Sequence, residues 1–289
     1  MMRIPEQCNN VHPPQPIESL CAQADDALDD GDYAVAERYY QEALMLAEQT
    51  FGPNALVVAE ILNGLGILYK YTARFDEAKP LYERARQILE TVYSPNHPDV
   101  AAIYHNLGGL AHARGDYAAG EPLARHGLAI REQALGPDHP DVAADVAALA
   151  ALVDGQGRYA EAEALYQRAL AIFERCYGPD NLEIAINLNN LAAIAYQQGD
   201  YELAEARYQR ALAIKEAHLG PDHPDLAYTL NNLAMLYQAQ GNYPAARPLL
   251  ERSLAIFRHA LGDDHPNVIT CRANYADLLR AMNERTTAR

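Results

Sequence analysis

The chain repeats itself every 42 residues, and that period restricts its fold more than any other property. Glycine or a small substitute stands at Gly31, Ala73, Gly115, Gly157, Gly199 and Gly241. A second series falls at Gly52, Ser94, Gly136, Gly178, Gly220 and Gly262, again 42 residues apart. Six copies without an insertion or deletion describe one structural unit stacked on the next, since a unit this short cannot bury its apolar face alone.

Each unit reads as two helices. The second series has the form LGPDHPD, as at 135–141 and 219–225. Glycine suits the left-handed position just past a helix, and the proline after it cannot continue that helix. The His-Pro step then sets proline near the first position of the next helix, with aspartate against its positive end. The first series, QGRYAEAE at 156–163 or QGDYELAE at 198–205, is a tight turn between antiparallel helices. In one unit this places helix A at about 97–113 and helix B at about 117–134.

The apolar positions follow the helical period. Helix B carries Ala162, Tyr166 and Ala169, matched by Ala204, Tyr208, Ala211 and by Ala78, Tyr82, Ala85. Helix A repeats a large–small pair at Leu65-Gly66, Leu107-Gly108, Leu149-Ala150, Leu191-Ala192 and Leu233-Ala234. These residues resemble the tetratricopeptide repeat (TPR), whose first helix carries Leu-Gly/Ala and Tyr and whose second carries Ala, an aromatic and Ala. A 42-residue period, with LGPDHPDVA and LNNLA, resembles the longer variety in kinesin light chains. The resemblance implies an all-α, right-handed superhelical solenoid of antiparallel helix pairs with helix A on the concave side.

The expected organisation is a disordered leader over 1–16, one solenoid over 17–282 and a flexible tail over 283–289. Units begin near 17, 55, 97, 139, 181 and 223: six pairs and a C-terminal capping helix at 265–282. The first unit is the most degenerate, with Gln23, Ala24 and Ala27 where Leu, Gly and Tyr belong.

Composition excludes several function classes. Thirty-nine acidic against 23 basic side chains give a formal charge of −16, which repels phosphate backbones and anionic membrane. No apolar run approaches a bilayer span, and the first residues lack the apolar segment of a signal peptide, so the expected location is cytoplasmic. Cys8, Cys21, Cys176 and Cys271 form no CxxC pair and suggest neither a disulfide framework nor zinc. His97, His139, His223 and His265 recur once per unit before proline and read as turn residues, with no metal expected. His105 and His112 share a helix A without partner ligands and read as groove-surface residues, and the acidic run before Tyr33 reads as a solvated turn. No catalytic motif stands out, and recognisable residues recur where catalysis needs singular ones. The expectation is a non-enzyme with no cofactor.

What remains is a pair of polar columns on helix A. One reads Cys21, Asn63, His105, Ala147, Asn189, Asn231, Ala273; the next reads Ala22, Gly64, Asn106, Ala148, Asn190, Asn232, Asn274. Resemblance to TPR proteins implies that both face the concave groove, where asparagine carboxamides bind the main chain of an extended peptide. One carboxamide offers donor and acceptor together. The alternative is that one column ties layers together while the other faces the ligand, and the residues do not decide which. One turn along lie Lys70, His112, Tyr196, Gln238 and Arg280, with Tyr228 near a helix start. Ala147 and Ala148 interrupt the ladder, so any peptide is expected across the last three units.

The expected function is therefore a scaffold binding a protein or peptide segment, with a monomer as the favoured state. A self-associating assembly or chaperone-type adaptor is one alternative. A kinesin-light-chain-like cargo adaptor is another. For that second reading, only Lys70 and Arg280 are basic in the columns, whereas kinesin light chains bind acidic cargo through a groove rich in Lys and Arg. Residues 1–16 also leave no room for a heptad coiled coil ahead of the repeats.

Overall fold

A computed structural model describes residues 15–287, all helical or in tight turns. Thirteen helices follow one another: α1 (Gln15–Asp29), α2 (Tyr33–Phe51), α3 (Leu56–Tyr71), α4 (Phe75–Val92), α5 (Pro98–Arg114), α6 (Tyr117–Leu135), α7 (Pro140–Gly155), α8 (Tyr159–Tyr177), α9 (Leu182–Gln198), α10 (Tyr201–Leu219), α11 (Pro224–Ala239), α12 (Tyr243–Leu261) and α13 (Pro266–Thr287). Odd-numbered helices are the A helices, even-numbered ones the B helices, and no strand occurs among the described residues. The expected leader lies outside the described residues for 1–14, while Gln15 and Pro16 belong to the first turn of α1. The expected tail is corrected in the same way. Helix α13 runs on through Thr287, because nothing in Asn283-Glu284-Arg285 breaks a helix, and only residues 288 and 289 lie outside the description.

The chain divides into two compact units, one ending at Asn106 and the other beginning at Leu107. From α1 to α4 and from α6 to α13 each helix packs on the next, and A helices of successive layers also approach one another: α1 with α3 in the first unit, and α7, α9, α11 and α13 in the second.

Packing inside a layer follows the repeated alanines and tyrosines. Ala78, Tyr82 and Ala85 are wholly buried in the first unit; Ala162, Tyr166, Ala169, Ala204, Tyr208 and Ala211 are at most 2% exposed in the second. The tyrosine ring lies against the small residue of the paired A helix. A Cβ on Gly66 would stand 2.5 Å from Tyr82 Cε1, so glycine there permits the closest approach.

Helix starts rest on an unexpected cap. Nδ1 of His97, His139, His223 and His265 each accepts a hydrogen bond from the backbone N–H two residues on, at 3.2 Å. Asn181 does the same through its side-chain oxygen at 2.9 Å. The recurring histidine therefore satisfies one of the free N–H groups of helix A, the task usually given to Ser, Asp or Asn.

Layers are also clamped by arginines on the B helices. Arg84 donates to Glu48 at 2.6 Å and to the Pro53 carbonyl at 2.7 Å. Arg168 joins Glu132 and the Pro137 carbonyl, and Arg252 joins Glu216 and the Pro221 carbonyl, in the same pattern. These side chains are half exposed, so each ion pair contributes at most about 1 kcal/mol.

A buried polar column lies behind the surface of the A helices in the second unit, at Asp145, Asn187, Thr229 and Cys271. Asp145, 2% exposed, faces Arg131 Nε at 3.0 Å. Asn187 donates to the Glu183 carbonyl. Lys215 donates to Thr229 Oγ1 at 3.2 Å and to the Asp225 carbonyl at 3.0 Å, and burial lowers its pKa. The Cys271 thiol donates to Ser253 Oγ, which in turn donates to the Ala227 carbonyl.

Two outcomes follow from these placements. Removing one member of a buried ion pair leaves a desolvated charge. Asp145→Ala is therefore expected to lower stability by about 3–5 kcal/mol, whereas Asp145→Leu combined with Arg131→Met recovers most of the loss, as read by urea unfolding under circular dichroism. Ala73 alone among the described non-glycine residues has a left-handed backbone, φ 59°, where the other first-series turns carry glycine. That conformation costs an L-residue about 1–2 kcal/mol, and glycine's extra chain entropy offsets about 0.5–1 kcal/mol of the relief. Ala73→Gly should raise the urea midpoint by the equivalent of about 0.5–1 kcal/mol.

Candidate functional site: the asparagine ladder

The small alanine and glycine neighbours bring successive A helices close enough for their asparagines to meet. The bond that forms is diagonal. Asn274 Nδ2 donates to Asn231 Oδ1 at 3.0 Å, and Asn232 Nδ2 to Asn189 Oδ1 at a weak 3.5 Å, both in the second unit. In the first unit Asn106 Nδ2 donates to Asn63 Oδ1 at 2.7 Å. Each pair is 43 residues apart, so a first-column oxygen takes the amide of the second column one layer on.

The rule explains the gaps. Asn190 would need an oxygen at position 147, where alanine stands; its own Oδ1 instead accepts from neighbouring Asn189 Nδ2 at 3.4 Å. Gly64 occupies an asparagine position because Tyr40 fills the space: an added Cβ would lie 2.7 Å from the ring. Tyr40 itself donates to Asp25, and its pKa is raised by burial and by that bond.

Each cross-layer bond uses one oxygen of the first column and one amide of the second. Among the described residues this leaves Asn231 Nδ2, Asn190 Nδ2, Asn232 Oδ1 and Asn274 Oδ1 without a protein partner. All five ladder asparagines of the second unit are half-buried, so these groups are reachable from outside.

The other expected residues are distributed unevenly. Tyr228 is 43% exposed, meets Phe257 edge-on at 4.8 Å and accepts from Asn267 Nδ2 at 2.6 Å. With Asn231, Asn232, Thr270 and Cys271 these residues line a pocket of about 70 Å³, large enough for a small side chain. Gln238 is half-buried, with a buried Oε1 that has no partner. Tyr196 is half-buried and lies 5.7 Å from the Tyr201 ring. In the first unit Lys70 is half-buried with Nζ 5.6 Å over the Tyr71 ring, and desolvation lowers its pKa. His112 is exposed, its ring 5.4 Å from Tyr117, and Arg280 bonds to Asp277.

Two contributors escape a reading by columns of asparagine. Asn267 begins α13, outside the columns, and only its distance to Tyr228 reveals it. Asp154 belongs to the column of His112, Tyr196 and Gln238, a membership visible in the 42-residue spacing. Among the described residues no three His, Cys, Asp or Glu side chains group as metal ligands, and no helix is long and apolar enough to cross a membrane.

Comparison with known proteins follows the same lines. No curated protein matches the sequence. BtubC (BKLC) from P. vanneervenii has a crystal structure that is 25% identical, covering 86% of this chain and 94% of that one, with a TM-score of 0.57. A putative kinesin light chain of P. anserina with nearly identical TPR-like repeats is also 25% identical, over 68% of this chain and 94% of that one, with a TM-score of 0.51. NprR, crystallised with its cognate peptide NprX, is 14% identical and shares the fold over 95% of this chain and 74% of its own, with a TM-score of 0.68. The tetratricopeptide-repeat model matches six overlapping stretches, 17–91, 58–119, 99–175, 144–217, 183–255 and 225–289. With nearly the whole length matched and the helix pairs in place, the chain belongs to the tetratricopeptide-repeat family, in its kinesin-light-chain-like 42-residue form.

Proposed function

We propose that this chain is a non-catalytic interaction scaffold that holds an extended segment of a partner protein along the A helices α9, α11 and α13. The observation that carries the reading is the half-used ladder. Amides and carbonyls left over at Asn190, Asn231, Asn232 and Asn274 match the alternating donors and acceptors of a peptide main chain. These groups are half-buried and open to solvent, so an extended segment laid along them exchanges bonds to water for bonds to positioned carboxamides. The pocket at Tyr228 and Asn267 then receives one small side chain of the segment. NprR, with the same fold, is crystallised with a peptide. The chemistry argued for the present chain rests on its own asparagines. Asn63 and Asn106 form a separate pair in the first unit.

Asn231→Ala with Asn232→Ala tests this. Each carboxamide is half-buried and makes one cross-layer bond, so the double change should lower unfolding stability by no more than about 1–2 kcal/mol. Capture of the partner from native lysate, identified by mass spectrometry against wild type, should fall at least tenfold. Equal capture by a folded double variant would overturn the reading.

A further inference from the structure

Asp154 breaks three local rules at once. It lies in the last turn of α7, where a carboxylate opposes the negative end of the helix dipole. It is half-buried, and desolvation raises its pKa. Among the described residues no donor or cation is bonded to its carboxylate; only its backbone carbonyl is used, by the amides of Gln156 and Gly157. The nearest cation in sequence, Arg158, is taken up by Glu121 at 2.7 Å and Glu161 at 2.5 Å. Where sequence and local physics disagree this far, a functional role is the usual explanation.

The surroundings point to a cation. From α7 to α13 the columns through positions 144, 147, 148, 151 and 154 carry only three charges: Asp154, Asp277 and Arg280. Arg280 bonds to Asp277, which leaves Asp154 as the one charge in these columns without a bonded partner among the described residues. Its field also reaches the buried tyrosines Tyr166 and Tyr208, whose ionisation it suppresses together with burial. Half-buried Tyr196 occupies the same column one layer on. A half-buried carboxylate without a partner suits an ammonium or guanidinium carried on an apolar stem.

We propose that Asp154 is the seat of a Lys or Arg side chain in the segment held by the asparagine ladder. The inference rests on the peptide-binding reading and adds the partner's charge. It also fixes a spacing. Adjacent A helices are about 10 Å apart and an extended chain advances about 3.3 Å per residue, so each layer spans about three residues. Asp154 also lies seven residues, about 10 Å, further along its helix than the asparagine columns, so the basic residue falls about four residues from the stretch held at Asn189 and Asn190, and about seven from that held at Asn231 and Asn232. An acidic segment would meet an unneutralised carboxylate on a protein of net charge −16.

The test uses the full chain and pools of 12-residue peptides, N-acetylated and C-amidated to remove terminal charges. The pools are randomised over Ala, Ser, Thr and Leu, with one position fixed as Lys, Arg, Gln or Glu. Binding is read by fluorescence polarisation. At one register the Lys and Arg pools should bind at least tenfold more tightly than the Gln pool, and the Glu pool more weakly still. Asp154→Asn should reduce the Lys-to-Gln preference to within twofold while leaving Gln-pool affinity unchanged. Pools that bind without a basic preference, or a preference that survives Asp154→Asn, overturn the assignment of Asp154 alone. Binding by no pool, or binding indifferent to Asn231→Ala with Asn232→Ala, overturns the ladder reading and this one with it.

Discussion

A tyrosine ring laid on a glycine or alanine sets the geometry of this molecule. Tyr82 against Gly66 is the tightest instance, with no room for a further carbon, and Tyr166 and Tyr208 sit equally buried at the matching positions of later layers. Because the contact is the same in each of these layers, their A helices are held alike. Large apolar burial of this kind contributes several kcal/mol per ring and outweighs the mediocre helix propensity of the asparagines on the opposite face. The polar face is therefore a consequence of the apolar one. Its carboxamides line up in register because each layer is built on the same contact.

That register explains why the ladder runs diagonally. An asparagine oxygen reaches the amide 43 residues on rather than 42, so both columns join the stack and both keep one group free. Both columns take part in the cross-layer bonds, the first through its oxygens and the second through its amides. Alanine at 147 and 148 ends this arrangement on α7, and the side chain offered there instead is a charge, Asp154.

The sequence announces nearly all of the fold. Helix A expected at 97–113 is Pro98–Arg114, and helix B expected at 117–134 is Tyr117–Leu135, because Gly and His-Pro mark the ends chemically. Exact repetition then carries one correct unit to five others. What escapes the sequence is whatever depends on two layers at once. The histidine caps use a ring nitrogen as acceptor, a role that residue identity does not advertise. The Arg131–Asp145 pair and the Lys215–Thr229 bond join helices whose charged residues look surface-bound in a linear reading. The small pocket at Tyr228 needs Asn267 from the next helix. Repeat logic also hides singular residues: Asp154 sits in a column otherwise filled by polar or basic side chains, and its isolation emerges only when every neighbouring charge has been paired.

The central claim is that Asn231, Asn232 and Asn274 each commit one polar group of the carboxamide to a neighbouring layer and keep the other open. Side-chain amide hydrogen exchange, followed by nuclear magnetic resonance on the free protein, reads this directly. The Asn274 side-chain amide, bonded to Asn231, should exchange more slowly than that of Asn231, and in Asn231→Ala the Asn274 amide should exchange as fast as the Asn231 amide does in the unchanged chain. Equal, fast exchange at both, or protection of Asn231 with Asn274 open, would contradict the account.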